Sequence, residues 1–447
     1  MTDAAAKSSA IDLSKRDLTL DIARVFCVLL VVVIHLLMVG VGRDDAGALS
    51  ISRPLEQQAW FAGVTWAGQI MPLFFVVGGF ASLTAWRSLR RRGGTAAEYV
   101  RSRVLRLAQP ALPLFLFYVV VLGGAQLLAP VIGIPPKLLS VVAVGAGAPL
   151  WFIAAYALCQ AMVPVMVRLH AAAPKRTVLV LLAGAVVVDA VRYSSGIDII
   201  GTLNLFFVWL LVQQIGFFYA DGWFAARRWW QLVAIAAVAY AALWPLTAWG
   251  PYADDMLTNL NPPTLPLIAL GLGQACVLRL LRPALAALMR TRGAKAVVFL
   301  VGTRLMTIYL WHLPIIIILS GALLLIPGAS PQPGTGAWWW SRPVIYLVVL
   351  VALFGLSFLV GRWEAPREIT STPPLPIVVI AAIATFIPAY AVMEWFLDFP
   401  FAVMGSLMLT LAVVLLGRWP GAAERAQSRV TKSISSSTRP SSAGSRS

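Results

Sequence analysis

The chain has 447 residues, of which 60% are hydrophobic, and its mean hydropathy is +0.83. The apolar residues lie in runs of about 18 or more, which can cross the roughly 30 Å hydrocarbon layer of a bilayer, so an ordinary soluble globular protein is excluded. The formal net charge of +17 would suggest nucleic acid as a partner. Because the basic residues are grouped between the apolar runs, we expect no nucleic-acid binding.

Twelve apolar runs predict an all-α fold, a polytopic transmembrane helical bundle of about twelve spans. The runs lie near residues 20–41, 60–85, 110–130, 150–168, 177–192, 202–220, 230–248, 263–281, 297–326, 342–361, 375–393 and 400–417. Lys and Arg crowd into alternate connections between them. By the positive-inside rule, this alternation places both termini in the cytoplasm.

The predicted connections are too short to form a separate domain, and the longest is an arginine-rich loop at about 86–109. We therefore expect a multi-pass protein of the cell membrane whose chemistry takes place in the membrane body or at its faces. Four regions are predicted: a cytoplasmic N-terminal segment, a main transmembrane domain, two additional C-terminal spans and a disordered basic Ser-rich tail. They cover residues 1–19, 20–361, 362–420 and 421–447.

The first span carries ionisable residues on one face. Arg24 and His35 are separated by ten residues, and eleven steps of about 100° come to about three turns, so both side chains leave nearly the same face. They are about 16 Å apart along the helix axis at 1.5 Å per residue. Asp21 lies one turn before Arg24 on that face. Since ionisable groups within a bilayer are costly, this stripe predicts a functional site.

A second histidine, His312, lies about fifteen residues along the ninth run, which is also predicted to run outward. We therefore expect His35 and His312 to reach a similar depth. Imidazole titrates near neutral pH, which favours His35 as a general base or acid, the alternative being a core histidine bonded to a neighbouring helix. For His312, Pro314 makes a structural hydrogen bond an equal alternative. His170 falls in a predicted cytoplasmic loop and is interpreted as incidental.

Within the arginine-rich loop, Arg103 and Arg106 are one turn apart and can face the same way on a short helix. Guanidinium groups bind phosphates in bidentate fashion, so these two residues are candidates for a polyanion site. The alternative is cationic charge that only sets the topology. No phosphate-binding loop, nucleophile elbow or metal-ligand spacing is present in the sequence, so we predict no metal.

Two further polar or aromatic positions are candidates for the acceptor side. Gln69 is followed by Pro72 near the outer end of the second run and could open the wall of a cavity. Trp151 begins the fourth run and is either an interfacial anchor, which we slightly favour, or an aromatic surface for a sugar-like acceptor. Adjacent glycines at 78–79 predict close helix packing.

Several of these motifs together resemble the acyltransferase 3 family of integral-membrane O-acyltransferases. The resemblance covers roughly residues 17–360 and keeps the family's order of motifs. It rests on Asp21, Arg24 and His35, MPLFFVVGGF at 71–80, RSRVLRLAQP at 101–110, LWF at 150–152 and YLWHLP at 309–314. The first-span sequence IARVFC departs from the glycine-containing form common in the family. The two additional spans stand where some members carry an SGNH-type esterase domain.

The resemblance implies transfer of an acyl group, often acetyl, from cytoplasmic acyl-CoA to a hydroxyl of a carbohydrate or glycosylated small-molecule acceptor. It implies that His35 is the catalytic histidine, Arg24 its essential partner, and Arg103 and Arg106 the basic cytoplasmic motif. Acyl-CoA is then a co-substrate, no cofactor is bound, and membrane lipid surrounds the protein. His312 is a supporting residue.

The residues themselves fit such a reaction. We expect the arginines at 87–106 to hold the phosphates of coenzyme A, whose long arm carries the thioester toward His35. His35 would take the proton of the acceptor hydroxyl, while Arg24 orients the donor or offsets negative charge. An acyl-histidine intermediate is a less favoured variant. The competing interpretation is a twelve-span secondary transporter or lipid flippase without acyl chemistry, in which Arg and His relay protons.

Overall fold

The computed structural model describes residues 17–43, 49–133, 136–364 and 373–417. Within these ranges, twelve helical segments are long and apolar enough to cross a membrane. The predicted all-α, multi-pass architecture is therefore confirmed, whereas the cytoplasmic placement of the termini stays a prediction. Most of the N-terminal segment and the whole of the basic tail predicted at 421–447 lie outside the described residues.

Fifteen α-helices and one short hairpin make up the described parts of the chain. The helices are α1 Leu18–Met38, α2 Phe61–Gly68, α3 Met71–Arg91, α4 Ala96–Ile132, α5 Pro136–Gly147, α6 Trp151–Ala172, α7 Pro174–Ser195, α8 Asn204–Ala220, α9 Trp229–Ala248, α10 Pro266–Leu288, α11 Arg292–Gly302, α12 Leu305–Leu324, α13 Gly336–Val360, α14 Leu375–Trp395 and α15 Phe399–Gly417. Strands β1 (Gly40–Arg43) and β2 (Leu49–Ser52) pair antiparallel. The second span comprises α2 and α3, and the fourth comprises α5 and α6.

The long arginine-rich loop predicted at 86–109 is wrong. Helix α3 continues to Arg91 and α4 already begins at Ala96. A capping box starts α4, because the Glu98 backbone N–H donates to the Thr95 hydroxyl and the Thr95 N–H donates to the Glu98 carboxylate, both at 3.2 Å. Most of the basic residues of the predicted loop therefore lie on regular helix.

The ninth predicted run, 297–326, is also shorter in the structure. Helix α11 ends at Gly302, and the span proper begins with α12 at Leu305. Between them, the Arg304 guanidinium donates to the Ser357 carbonyl at 2.9 Å. This bond joins the start of α12 to the end of α13. The predicted run is therefore a short helix, α11, followed by a shorter span, α12.

The chain divides into two compact units, and the first comprises residues up to Ser88 together with Met162–Gly361. In this unit α1 packs against α10, α11, α12 and α13. Helices α3 and α8 approach closely at two glycines. A Cβ atom on Gly79 would contact the Gln213 carbonyl oxygen and lie 3.1 Å from the Gly216 Cα, so only glycine permits this packing. The predicted role in packing is confirmed for Gly79.

A buried carboxylate organises one end of the same unit. Asp189, near the end of α7, accepts hydrogen bonds from the Asn204 side chain at 2.8 Å, the Tyr252 hydroxyl at 3.0 Å and the Leu265 backbone N–H at 3.0 Å. Burial raises the pKa of Tyr252, and the neighbouring carboxylate raises it further, so its hydroxyl stays a donor. Asp189 thus holds the connection between α9 and α10, which contains Tyr252 and Leu265, and its burial has a structural explanation.

The second unit comprises Leu89–Ala161 and the residues from Arg362 onward. Here α4 packs against α14 and α15, the two C-terminal spans. Arg101 is 4% exposed, and its Nε donates to the Leu416 carbonyl at 2.8 Å, in the last turn of α15. The last carbonyls of a helix lack intrahelical donors, so this bond satisfies one of them and secures the C-terminal span.

Candidate active site

The histidines of α1 and α12 meet in the first unit. His35 lies in the last turn of α1 and His312 lies in α12. Their ring centroids are 5.0 Å apart, with the ring planes inclined by 44°. The prediction that the two residues reach a similar depth, made by counting along separate spans, is confirmed.

The hydrogen bonding of His312 fixes which ring nitrogen is a base. His312 is fully buried, and its Nδ1 lies 2.5 Å from the Tyr309 carbonyl oxygen. Because a carbonyl only accepts, Nδ1 carries the proton and Nε2 keeps its lone pair. That Nε2 is buried and has no hydrogen-bond partner among the described residues. The predicted structural hydrogen bond therefore exists and leaves the other nitrogen available.

The charged residues of α1 lie toward its beginning. Asp21 and Arg24 are half-buried, as is His35. The Arg24 Nε is buried without a partner in the described part of the chain. The neighbouring face of α1 is fixed by a hydrophobic cluster of Leu20, Ala23, Val77 and Leu278. The first turns of α1 are thus packed on one face, and one guanidinium nitrogen has no partner among the described residues.

The predicted phosphate-binding arginines lie on α4, in the second unit. Arg103 is half-buried, and its guanidinium lies 5.0 Å from the centroid of the Tyr99 ring. Its Nε is buried with no partner that the structure describes. Arg106, one turn on, is exposed. The pair has the helical spacing that was predicted, and its binding role stays a prediction.

The two acceptor-side candidates have different surroundings. In the first unit, the Gln69 side chain donates to the Met256 carbonyl at 3.2 Å and accepts from the Met71 backbone N–H at 3.2 Å, so it joins α2 and α3 to a connection. In the second unit, Trp151 is 6% exposed, and its ring lies edge-on to Phe152 with centroids 6.1 Å apart. Both roles on the acceptor side stay predictions.

A family model described as an acyltransferase domain matches residues 17–362, which is more than half of the chain. The chain belongs to the acyltransferase 3 family. No match is found among curated proteins or solved structures. Membership makes this chain a membrane acyltransferase, with an acyl donor and an acceptor as its substrates. The matched residues include α1 and α12, while α14 and α15 follow the match.

The acyltransferase also holds a cluster of His170, Asp221 and Arg87, here called the His170 cluster, that the sequence did not predict. His170 is not in a loop but in the last turn of α6, where it is 5% exposed. Its Nε2 lies 3.1 Å from the Asp221 Oδ2, and the Asp221 Oδ1 lies 2.7 Å from the Arg87 NH1. The only signal in the sequence was the alternation of basic connections, which assigns all three residues to one face of the membrane.

Proposed function

We propose that this acyltransferase moves an acetyl or other short acyl group from cytoplasmic acyl-CoA to a hydroxyl of a carbohydrate or glycosylated small molecule. The observation that carries the proposal is the pair of His35 and His312, with ring centroids 5.0 Å apart, in a chain of acyltransferase fold. An imidazole with a free lone pair is suited to accept a hydroxyl proton at neutral pH.

In the proposed reaction, His35 takes the proton of the acceptor hydroxyl while the oxygen attacks the thioester carbonyl. The tetrahedral intermediate then collapses, the carbon–sulfur bond breaks, and the thiolate of coenzyme A takes the proton back from His35. The products are an ester and free coenzyme A. Direct transfer moves the acyl group once and an acyl-histidine intermediate would move it twice, so the direct route is preferred.

We assign His312 the task of orienting His35. Its Nδ1–H is committed to the Tyr309 carbonyl, so only Nε2, which has no partner among the described residues, can accept a hydrogen bond from a neighbour. We propose that this bond forms with His35 once the substrates are bound. An imidazole base works best when a third group holds its tautomer and its ring direction. A second histidine can do this in a membrane interior without introducing a carboxylate, whose burial would be costly.

Arg24 is assigned to the donor. It lies about 16 Å from His35 along the helix axis, at 1.5 Å per residue, which an arginine side chain does not span. Direct stabilisation of the oxyanion beside His35 is therefore disfavoured. The buried, unpaired Nε of Arg24 instead supports a contact with the donor. We assign the phosphates of coenzyme A to Arg103 and Arg106, whose guanidinium groups suit them.

The proposal is tested with purified full-length protein and His35→Ala. The assay follows release of coenzyme A from acetyl-CoA in the presence of an extract of cell-envelope glycans, together with the mass of the modified glycan. We expect the variant to lose transfer by at least about 10²-fold, the lower end of the range for general base catalysis. Arg228→Gln, an exposed change in the connection before α9, is the matched control.

Retained turnover in His35→Ala would remove the histidine from the mechanism. Substrate counterflow in liposomes without acyl transfer would favour a transporter.

A further inference from the structure

A cavity lies in the first unit, near the ends of the helices that carry Arg87, His170 and Asp221's neighbour Phe218. Its volume is about 510 Å³, and it is lined by Arg87, His170, Phe218, Asp221, Trp223 and Arg227 among others. These residues come from near the C-terminal ends of α3, α6 and α8 and from the turn that follows α8. The proposed acyl transfer uses none of them.

Asp221 serves as an anchor in this cavity. Its Oδ1 lies 2.7 Å from the Arg87 NH1, and its Oδ2 lies 3.1 Å from the His170 Nε2. Because a carboxylate only accepts, the His170 Nε2 carries a proton and its other nitrogen, Nδ1, is left. That Nδ1 is buried, on a side chain 5% exposed that lines the cavity, and it has no partner within the described ranges.

The cavity lining also carries a stacked cation. The Arg227 guanidinium lies 4.0 Å from the centroid of the Trp223 ring, and its NH1 donates to the Trp223 carbonyl at 3.4 Å. These contacts hold the guanidinium in place, and its other N–H groups are suited to hydrogen bonds with an anion. Arg87 and Arg227 outweigh the single carboxylate, which is already paired on both oxygens. The cavity is therefore positive, with Phe218 and Trp223 as apolar walls.

We propose that this cavity binds the phosphate group of an anionic phospholipid such as phosphatidylglycerol. Guanidinium groups bind phosphate oxygens in bidentate fashion, and the unpartnered His170 Nδ1 is a further polar atom in the cavity lining. Basic pockets between transmembrane helices are typical sites for anionic headgroups, and tryptophan is typical of the membrane interface. The tight contact of Gly79 with Gly216 fixes α3 against α8, so that Arg87 and Asp221 are positioned before a ligand arrives.

The test measures binding of dioctanoyl phosphatidylglycerol, dioctanoyl phosphatidylcholine and coenzyme A to full-length protein in detergent, by native mass spectrometry. We expect phosphatidylglycerol to bind, and Arg227→Gln to weaken it at least tenfold. Arg228→Gln, the adjacent arginine that does not line the cavity, should change binding by less than twofold. His170→Ala should also weaken binding, and Arg227→Gln keeps the test decisive if that variant does not fold.

Each outcome decides the proposal. Equal binding of the zwitterionic lipid, equal losses in Arg227→Gln and Arg228→Gln, or absence of binding by all three probes would overturn it. Binding of coenzyme A that depends on Arg227, without binding of phosphatidylglycerol, would also overturn it, because the phosphate site would then belong to the acyl donor. The site stands independently of the proposed acyl transfer, because His35→Ala should abolish transfer and keep lipid binding.

Discussion

The two histidine regions of the first unit differ in what surrounds the imidazole. His35 and His312 face each other, and neither ring is bonded to a carboxylate in the part of the chain that the structure describes. His170 instead lies at a helix end, where Asp221 joins it to Arg87. A buried ring without a counter-ion is suited to offer a lone pair, because burying an unpaired charge is costly. A ring that is hydrogen-bonded to a carboxylate has a fixed position and is suited to line a binding site for an anion.

The largest expected effect tests whether the first region acts as one unit. We predict that His35→Ala and His312→Ala each reduce acyl transfer by about 10²–10⁴-fold, the range for general base catalysis. The double variant should lose hardly more than the more damaging single change, because residues that act together are strongly non-additive. Initial rates of the unchanged protein, the two single variants and the double variant at saturating acetyl-CoA test this prediction.

Losses that multiply in the double variant would contradict a shared task for the two rings. Arg228→Gln again provides the control for expression and reconstitution. A drop in melting temperature in His312→Ala alone would indicate loss of packing, so each variant is accompanied by a thermal unfolding curve.

The next prediction separates the two nitrogens of His312. In His312→Asn, the amide nitrogen takes the place of Nδ1 and can still donate to the Tyr309 carbonyl, while Nε2 is lost. In His312→Gln, an amide group reaches the place of Nε2 and the bond to Tyr309 is lost. If Nε2 orients His35, the Asn variant should fold normally and lose about 10²-fold in turnover, within the range for positioned acid–base groups.

The Gln variant supplies the converse measurement. A purely structural hydrogen bond at Nδ1 would make His312→Gln the more damaging change, with a lower melting temperature and with turnover kept in His312→Asn. That pattern would make the first region resemble the His170 region, where the ring is an anchored structural element.

A smaller effect is expected at Arg24, which we assign to the acyl donor and not to either histidine. Arg24→Ala should raise KM for acetyl-CoA about tenfold with a smaller change in kcat, since a tenfold change corresponds to about 1.4 kcal/mol of binding free energy. Arg24→Lys should recover part of the loss because it keeps the charge. A fall in kcat with unchanged KM would place Arg24 at the reacting atoms instead.

Much of this comparison could be predicted from the sequence, and the physical reason differs between regions. Helix pitch and bilayer thickness fix depth, so counting along two spans was sufficient to bring His35 and His312 together. The last turn of α6 is not predicted from hydropathy, because the apolar run stops at 168 while the helix continues to Ala172. The sequence therefore places His170 in a loop, and no local pattern connects it to its distant partner Asp221.

The start of α4 in the arginine-rich stretch was also predicted too late, although the sequence contains a pattern that marks it. Thr95 and Glu98 form the pattern of a capping box, which predicts a helix start well before the apolar run at 110. Hydropathy alone placed that start too late, because charged residues lower it even on a helix. The burial of Arg101 against the Leu416 carbonyl depends on packing between distant parts of the chain, so it could not be predicted locally.

The smallest expected effect tests whether Asp221 is only an anchor. Asp221→Asn keeps an oxygen that can accept from the His170 Nε2 and removes the charge that attracts Arg87. The Arg87 and Asp221 side chains are 45% and 34% exposed, so water screens their attraction. We expect a loss of stability below about 1 kcal/mol, as for exposed ion pairs. The difference in melting temperature from the unchanged protein should shrink further in high salt. A large loss that is insensitive to salt would mean that the carboxylate stabilises the fold through contacts that water does not screen.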